Sequence, residues 1–277
     1  MPIRARRFIR KMRGGAQSHL IEGEDGEFYI VKFLNNPQHR RILINEWLAN
    51  AFLRYLQIFV PETAIVELTS SFLAENPDVC IILGAKHEPA LPGLHFGSRV
   101  AVHPDRVAIY DFLPDSVLGK IENRVDFIGA LVFDKWIGNA DSRQAIFFRA
   151  KARGWTPVRG EAPQRIGFFA QMIDEGFVFN GPHWAFQDSP LQGVYFRTSV
   201  YDEVRSLASF QPWLDLVRNF PVEVVDEAWK QIPRSWYDSD RDDLETLLEQ
   251  LLKRRGRVES LIQETRKGRA KTFENWR

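Results

Sequence analysis

The sequence predicts an α+β protein in two lobes, and three observations carry that expectation. Strand-like segments crowd the first third of the chain around one long amphipathic helix. Helical segments dominate from about Val107 onward, and one short strand pair lies embedded among them. The strand–helix alternation that a parallel sheet requires is absent. We expect one domain, 1–277, divided near residue 105 into a β-rich lobe (1–105) and a mainly helical lobe (106–277).

The elements follow from local pattern. Ser18–Glu22 and Phe28–Leu34 flank the acidic, Gly-bounded turn Gly23-Glu24-Asp25-Gly26, which suits a β-hairpin. In Arg40–Leu56, Ile42, Leu43, Trp47, Leu48, Ala51, Phe52 and Tyr55 recur at helical spacing, and Phe59-Val60-Pro61 ends the run. Thr63–Leu68 and Asp78–Gly84 read as strands, whereas the prolines and glycines of Glu88–Gly97 predict a connection or bend. Val117–Gly138 reads as an apolar helix stopped by Gly138-Asn139. Ala145–Arg149 and Ile166–Ile173 read as strands around the polar loop Ala152–Gln164. Asp202–Leu207, Gln211–Val217, Val222–Gln231 and Asp240–Gln263 read as helices. The basic ends, Met1–Arg13 and the last 25 residues, read as solvated, frayed termini.

Composition narrows the function. Of 277 residues, 37 are Lys or Arg and 36 Asp or Glu, a net charge of +1 that does not suit a general nucleic-acid coat. A single cysteine, Cys80, excludes a disulfide framework and a Cys-rich zinc site, and the six histidines lack metal spacing. The longest apolar stretches, such as Ile128–Phe133, fall far short of the roughly 20 residues that span a bilayer. No apolar segment follows the basic start as a secretory signal would require, so a cytoplasmic protein without membrane contact is expected. G-x-S-x-G, H-E-x-x-H and P-loop patterns are missing.

Four features fit one chemistry. Gly14-Gly15-Ala16-Gln17-Ser18 precedes a strand, and small residues there let backbone N–H groups approach phosphate oxygens. Lys32 stands inside the apolar strand Tyr29-Ile30-Val31-Lys32-Phe33, where a buried ammonium requires a carboxylate. Glu46, on the next helix, is in place to supply one, which is the kinase arrangement. Asp141 and Asp174 flank the predicted strand pair. There one carboxylate can orient an attacking hydroxyl while the other holds Mg²⁺ on nucleotide phosphates.

On these residues the chain resembles the HipA-like kinases, in particular a short subgroup with a two-lobed fold related to protein and phosphatidylinositol kinases. Gly15-Ala16-Gln17 is similar to the family's phosphate loop, and Lys32 to its ATP lysine. Asn45-Glu46 with Val60-Pro61 resembles its Asn-Glu helix and Val-Pro exit, and His95-Phe96-Gly97-Ser98-Arg99 resembles a stretch of the subgroup. The resemblance implies ATP and Mg²⁺ as cofactors, with Gly14, Gly15, Ala16, Gln17, Ser18, Lys32 and Glu46 at the nucleotide. It implies Asp141 as catalytic residue and Asp174 as metal ligand. A protein or small-molecule phosphate acceptor and a small antitoxin-like partner are implied as well.

The chain departs from the family in its catalytic loop. Ile146 occupies the place of the second metal ligand, five residues after Asp141, and Arg143 occupies that of a histidine. Gln144 is then the candidate substitute ligand. Two functions follow. One is an ATP-dependent serine/threonine-type kinase, favoured by Lys32, Glu46, Asp141 and Asp174 together. The alternative is a nucleotide-binding pseudokinase or scaffold, favoured by Ile146.

Overall fold

The computed structural model describes residues 1–151 and 166–277, so the expected polar loop Ala152–Gln164 lies outside the described residues. Along the chain come β1 (Ile3–Lys11), β2 (His19–Gly23), β3 (Phe28–Lys32), α1 (Arg41–Tyr55) and β4 (Thr63–Leu68). They are followed by α2 (Ser70–Glu75), the hairpin β5 (Cys80–Leu83) and β6 (Lys86–Pro89), and β7 (Gly93–Arg99). Strands β1, β2, β3, β7 and β4 close into a barrel in that order, with β1 meeting β4 in parallel. The barrel fills with Ile21, Tyr29, Val31, Phe33, Val66 and Leu68. The expected β2–β3 hairpin is present, and the Asp25 carboxylate stiffens its turn by accepting from the Glu27 N–H (3.1 Å) and the Tyr29 hydroxyl (2.7 Å).

Two expectations fail here. Met1–Arg13 is not frayed: β1 pairs on both sides, and its cations meet carboxylates across the sheet, Arg4 at Glu67 and Arg7 at Glu22. Ile3, Ala5 and Phe8 pack on the barrel core, so the basic residues decorate an apolar strand. Glu88–Gly97 is not merely a bend, because β7 sits between β3 and β4. A Cβ at Gly97 would lie 2.5 Å from Val66 Cγ2, so the glycine that reads as a break is what lets the strands approach.

The second half runs through β8 (Ile109–Tyr110), α3 (Asp115–Leu118), α4 (Asp126–Ile137), β9 (Gln144–Lys151) and β10 (Ile166–Ile173). Then come α5 (Trp213–Arg218), α6 (Val222–Lys230), α7 (Arg234–Tyr237), α8 (Arg241–Lys253) and α9 (Val258–Gly268). Strands β10, β9 and β8 form a small sheet in that order. The apolar α4 is buried throughout and stops at Gly138, whose φ of +67° is the left-handed cap that glycine tolerates. Trp136, Trp213 and Trp236 are core residues, as their helical setting suggests.

Local chemistry corrects three helix expectations. Val117–Gly138 splits into α3 and α4, because Asn123 turns aside to pair with the backbone of Ala170 in β10, donating to its oxygen (2.7 Å) and accepting from its N–H (2.9 Å). Asp202–Leu207 forms no α-helix; 3-10 turns at Thr198–Tyr201 and Leu207–Phe210 lie on either side. Asp240–Gln263 divides into α8 and α9 at the Arg254–Arg257 turn. The basic C-terminal stretch is docked rather than frayed, with Phe273 buried against Tyr201 and Phe210.

Asp126, at the start of α4, accepts from Asn123 (2.8 Å) and from the Phe59 N–H (3.1 Å), joining α4 to the chain just after α1. Burial pushes its carboxyl up to about 6, against those two donors. The folded state thus binds a proton that the unfolded chain releases nearer 4, so this site favours folding most below that pH and loses the advantage as pH rises through 6. Asp126→Asn should flatten the fall in Tm between pH 4 and pH 7. A parallel fall in both proteins would remove Asp126 as its cause.

Candidate active site

The site grows from Lys32, the last residue of β3. Its neighbours Val31 and Phe33 are fully buried, and the strand carries the lysine inward, leaving its side chain 9% exposed. The next strand neighbour helps hold this end: His95 accepts the Leu34 N–H (2.9 Å) at Nδ1, and its Nε2 faces the Leu91 carbonyl (2.9 Å). Burial lowers the His95 pKa to about 4, which keeps the ring neutral with its proton on Nε2.

Helix α1 answers the lysine. Glu46 projects into the same space and forms a hydrogen-bonded ion pair with Lys32 Nζ. Asp174 Oδ1 accepts from the same ammonium at 2.7 Å. Burial alone would lower the Lys32 pKa, but Glu46 and Asp174 outweigh it and hold the ammonium above its ordinary value. Asp174 is the exposed end of the chain of charges, its side chain 39% accessible against 6% for Glu46. Burial would raise its carboxyl, yet Lys32 with help from Gln144 and Arg143 holds it below the usual range.

Asp174 reaches this position because β10 ends at Ile173 and the aspartate adopts a left-handed φ of +62°. The β9–β10 register pairs Gln144 with Ile173, which sets Asp141 and Asp174 on either side of the hairpin's open end. Gln144 Nε2 lies 3.3 Å from Asp141 Oδ2, and the Gln144 side chain also bonds Asp174. Asp141, Gln144 and Asp174 therefore share one mouth with Lys32. Ile146, two residues along β9, pairs with Gln171 instead.

The Gly14–Ser18 loop is built differently from its phosphate-loop expectation in one respect. The Gln17 side chain clasps β5, donating to the Ile82 carbonyl (2.8 Å) and accepting its N–H (2.7 Å). The Gln17 N–H turns back to the Gly14 carbonyl (3.1 Å), and Ser18 is buried. Gly14 takes a φ of +116°, so the loop needs a glycine there.

A second buried network, which sequence reasoning did not identify, stands behind the aspartates. Arg143 donates through Nε to Asp134 Oδ2 (2.9 Å), through Nη2 to the other Asp134 oxygen, and through Nη1 to Glu175. It ties α4 to the residue following Asp174. Burial opposes its charge, but Asp134 and Glu175 raise its pKa. Burial pushes the Glu175 carboxyl up to about 8 against the pull of Arg143, and its Oε2 is buried without a partner. The family histidine place was the one available signal. Around the mouth, the carboxylates of Glu46, Asp134, Asp141 and Asp174 outnumber Lys32 and Arg143, an excess that a divalent cation would offset. Among the described residues no cluster of three or more His, Cys, Asp or Glu side chains forms a complete metal cage. The Asp174 carboxylate and the Gln144 amide would suit a divalent ion that completes its shell with phosphate and water. Removing the central cation by Arg143→Met should cost about 3–5 kcal/mol of unfolding free energy in urea titrations, because two buried carboxyl groups lose their partner. A loss under about 1 kcal/mol would show that the network contributes little to stability.

Comparison with known proteins places this geometry. The chain is similar in structure to hydra Fam20 with sugar, at 13% identity and a TM-score of 0.57, covering 99% of this chain and 88% of that one. It is also similar to the Golgi casein kinase with Mn/ADP bound, at 12% identity and a TM-score of 0.53, covering 96% and 74%. A second structure of the Golgi casein kinase gives 11% and 0.51, covering 96% and 73%. At these identities the likeness concerns the fold, which is protein-kinase-like and α+β as expected. No curated protein matches the sequence. The sequence profile of the HipA-like kinases matches residues 6–147, just over half of the chain and including Lys32, Glu46 and Asp141, and the chain belongs to that family.

Proposed function

We propose that the protein is an ATP-dependent phosphotransferase of the serine/threonine kinase type that uses Mg²⁺. The observation that carries this reading is Lys32 held between Glu46 and Asp174, with Asp141 joined to the same mouth through Gln144. In this reading residues 1–105 and 106–277 are the two kinase lobes. Lys32 binds the α- and β-phosphates, and Glu46 keeps the ammonium in place when Asp174 turns to the metal. The backbone N–H groups of Gly14, Gly15 and Ala16 cradle phosphate oxygens, while Gln17 and Ser18 shape that loop. Asp174 and Gln144 are the metal ligands, and Asp141 orients the acceptor hydroxyl and takes its proton. Mg²⁺, when bound, neutralises charge on the β- and γ-phosphates. The acceptor is a protein hydroxyl or a small molecule. A cytoplasmic setting, with a small antitoxin-like partner, completes the reading.

Ile146 supports a second reading, a nucleotide-binding pseudokinase, because it removes the family's second ligand. Site variants separate the two. Asp174→Asn should abolish the Mg²⁺-dependent part of ATP binding, measured by calorimetry with and without the metal. Asp141→Asn should leave nucleotide affinity within about threefold of wild type and reduce transfer of labelled phosphate by about 10²-fold or more. Gln144→Ala should lower transfer while binding persists, and unchanged transfer would remove Gln144 from the metal. Wild-type protein that binds Mg·ATP but phosphorylates neither itself nor any lysate component would contradict the kinase reading in favour of the pseudokinase.

A further inference from the structure

The segment after Asp174 is fastened to α1 by a residue that the phosphotransfer roles leave unused. Asn45 is fully buried, and the two hydrogens of its amide NH2 are shared among the carbonyls of Gly176 (2.8 Å), Val178 (3.1 Å) and Gly181 (3.0 Å). Its oxygen accepts from Trp184 Nε1 at 2.8 Å, so both ends of the amide are engaged. One helical turn earlier, on the same face of α1, Arg41 donates to the Pro182 carbonyl (3.2 Å) and stacks over the Trp184 ring at 4.1 Å. The far side of the segment meets the approach to Asp141. Ala140 N–H donates to the Phe177 carbonyl (2.9 Å), and Asn180 N–H donates to the Gly138 carbonyl (3.1 Å).

The backbone held this way is one the chain would not adopt alone. Phe179, Asn180 and Trp184 have φ values of 58°, 59° and 50°, in the left-handed region that side-chain-bearing residues enter only when their surroundings enforce it. Three carbonyls pointing at one amide supply that enforcement. Asn45 is also the residue next to Glu46, so a single turn of α1 grips Lys32 with one side chain and this segment with the other.

We propose that Asn45 is a positioning residue that sets the register between Asp141 and Asp174 by holding the segment after Asp174 against α1, an inference that rests on the phosphotransfer reading above. Lys32 bonds Glu46 and Asp174 directly, so nucleotide affinity does not depend on this grip. Transfer does, because it requires Asp141 to be aligned with the phosphate that Asp174 and Lys32 orient. The grip comes from the chain's own amide and needs no phosphoryl group on the segment.

Two arms test this. In the first, Asn45→Ala and the isosteric Asn45→Asp, which has no amide donor, are compared with Trp184→Phe, which removes the bond to the Asn45 oxygen while keeping an aromatic ring beneath Arg41. Both Asn45 variants should lose at least about tenfold in kcat with Mg·ATP affinity within about threefold, and Trp184→Phe should lose less than about threefold in kcat. Equal loss of kcat and affinity, or a Trp184→Phe defect as large as that of Asn45→Ala, would overturn the proposal. The second arm uses hydrogen exchange on the protein without nucleotide, and so stands even if the kinase reading fails. Asn45→Ala should raise exchange in residues 176–184 while β9, β10 and α4 keep their protection. Unchanged exchange there, or a uniform rise across the chain, would refute the role of Asn45.

Discussion

A lysine ammonium taken out of water at the end of β3 is the constraint around which the rest of this protein is arranged. An unpaired buried charge is prohibitively costly, so Lys32 obliges the fold to bring it carboxylates. Glu46 comes from α1 and Asp174 from the end of β10, 142 residues along the chain from the lysine. Satisfying one charge therefore fixes the barrel, its helix and the β9–β10 hairpin relative to one another. Arg40 and Arg41 reinforce that placement from the start of α1, Arg40 reaching Ser239 and Arg41 reaching Asp240 and Asp243. Helix α1 is thus clamped at one end and paired at its middle, and Lys32 keeps a buried partner because Glu46 cannot swing away.

The same logic explains which parts of the fold were legible in the sequence. The β2–β3 hairpin and α1 are local, and turn residues and helical spacing report them directly. Strand β1 was hidden because its pairing is remote: Arg4 finds Glu67, and the ladder to β2 is interrupted by bulges between Ala5 and Arg7 and between Phe8 and Arg10. Those interruptions break the alternation that identifies a strand, leaving only a run of cations that resembles a tail. Strand β7 was hidden by Gly93 and Gly97, which mark a bend in isolation, although Gly97 stands at a tight strand contact inside the closed barrel.

The site shows the same division. Lys32, Glu46, Asp141 and Asp174 were visible because residues that are unspecific singly fall together in the order and element setting of a kinase site. Gln144 was reached by elimination from Ile146, and it does lie between the two aspartates. Gln17 looked like a phosphate contact, but its amide is engaged with the Ile82 backbone. Arg143 and Asn45 escaped because their partners lie at separations that no motif spans: Asp134 and Glu175 for the first, Gly176 through Trp184 for the second. Arg143 ties α4 to the residue after Asp174, and Asn45 ties α1 to the segment that follows it.

The most direct measurement of the central claim is calorimetric titration of Mg·ATP into wild-type protein and Lys32→Met, with circular dichroism confirming that the variant is folded. Lys32 is assigned to the nucleotide phosphates, so removing the ammonium should weaken binding by at least about tenfold, or 1.4 kcal/mol. Binding of equal strength by the two folded proteins would place the nucleotide elsewhere and leave the Lys32 cluster a structural device alone.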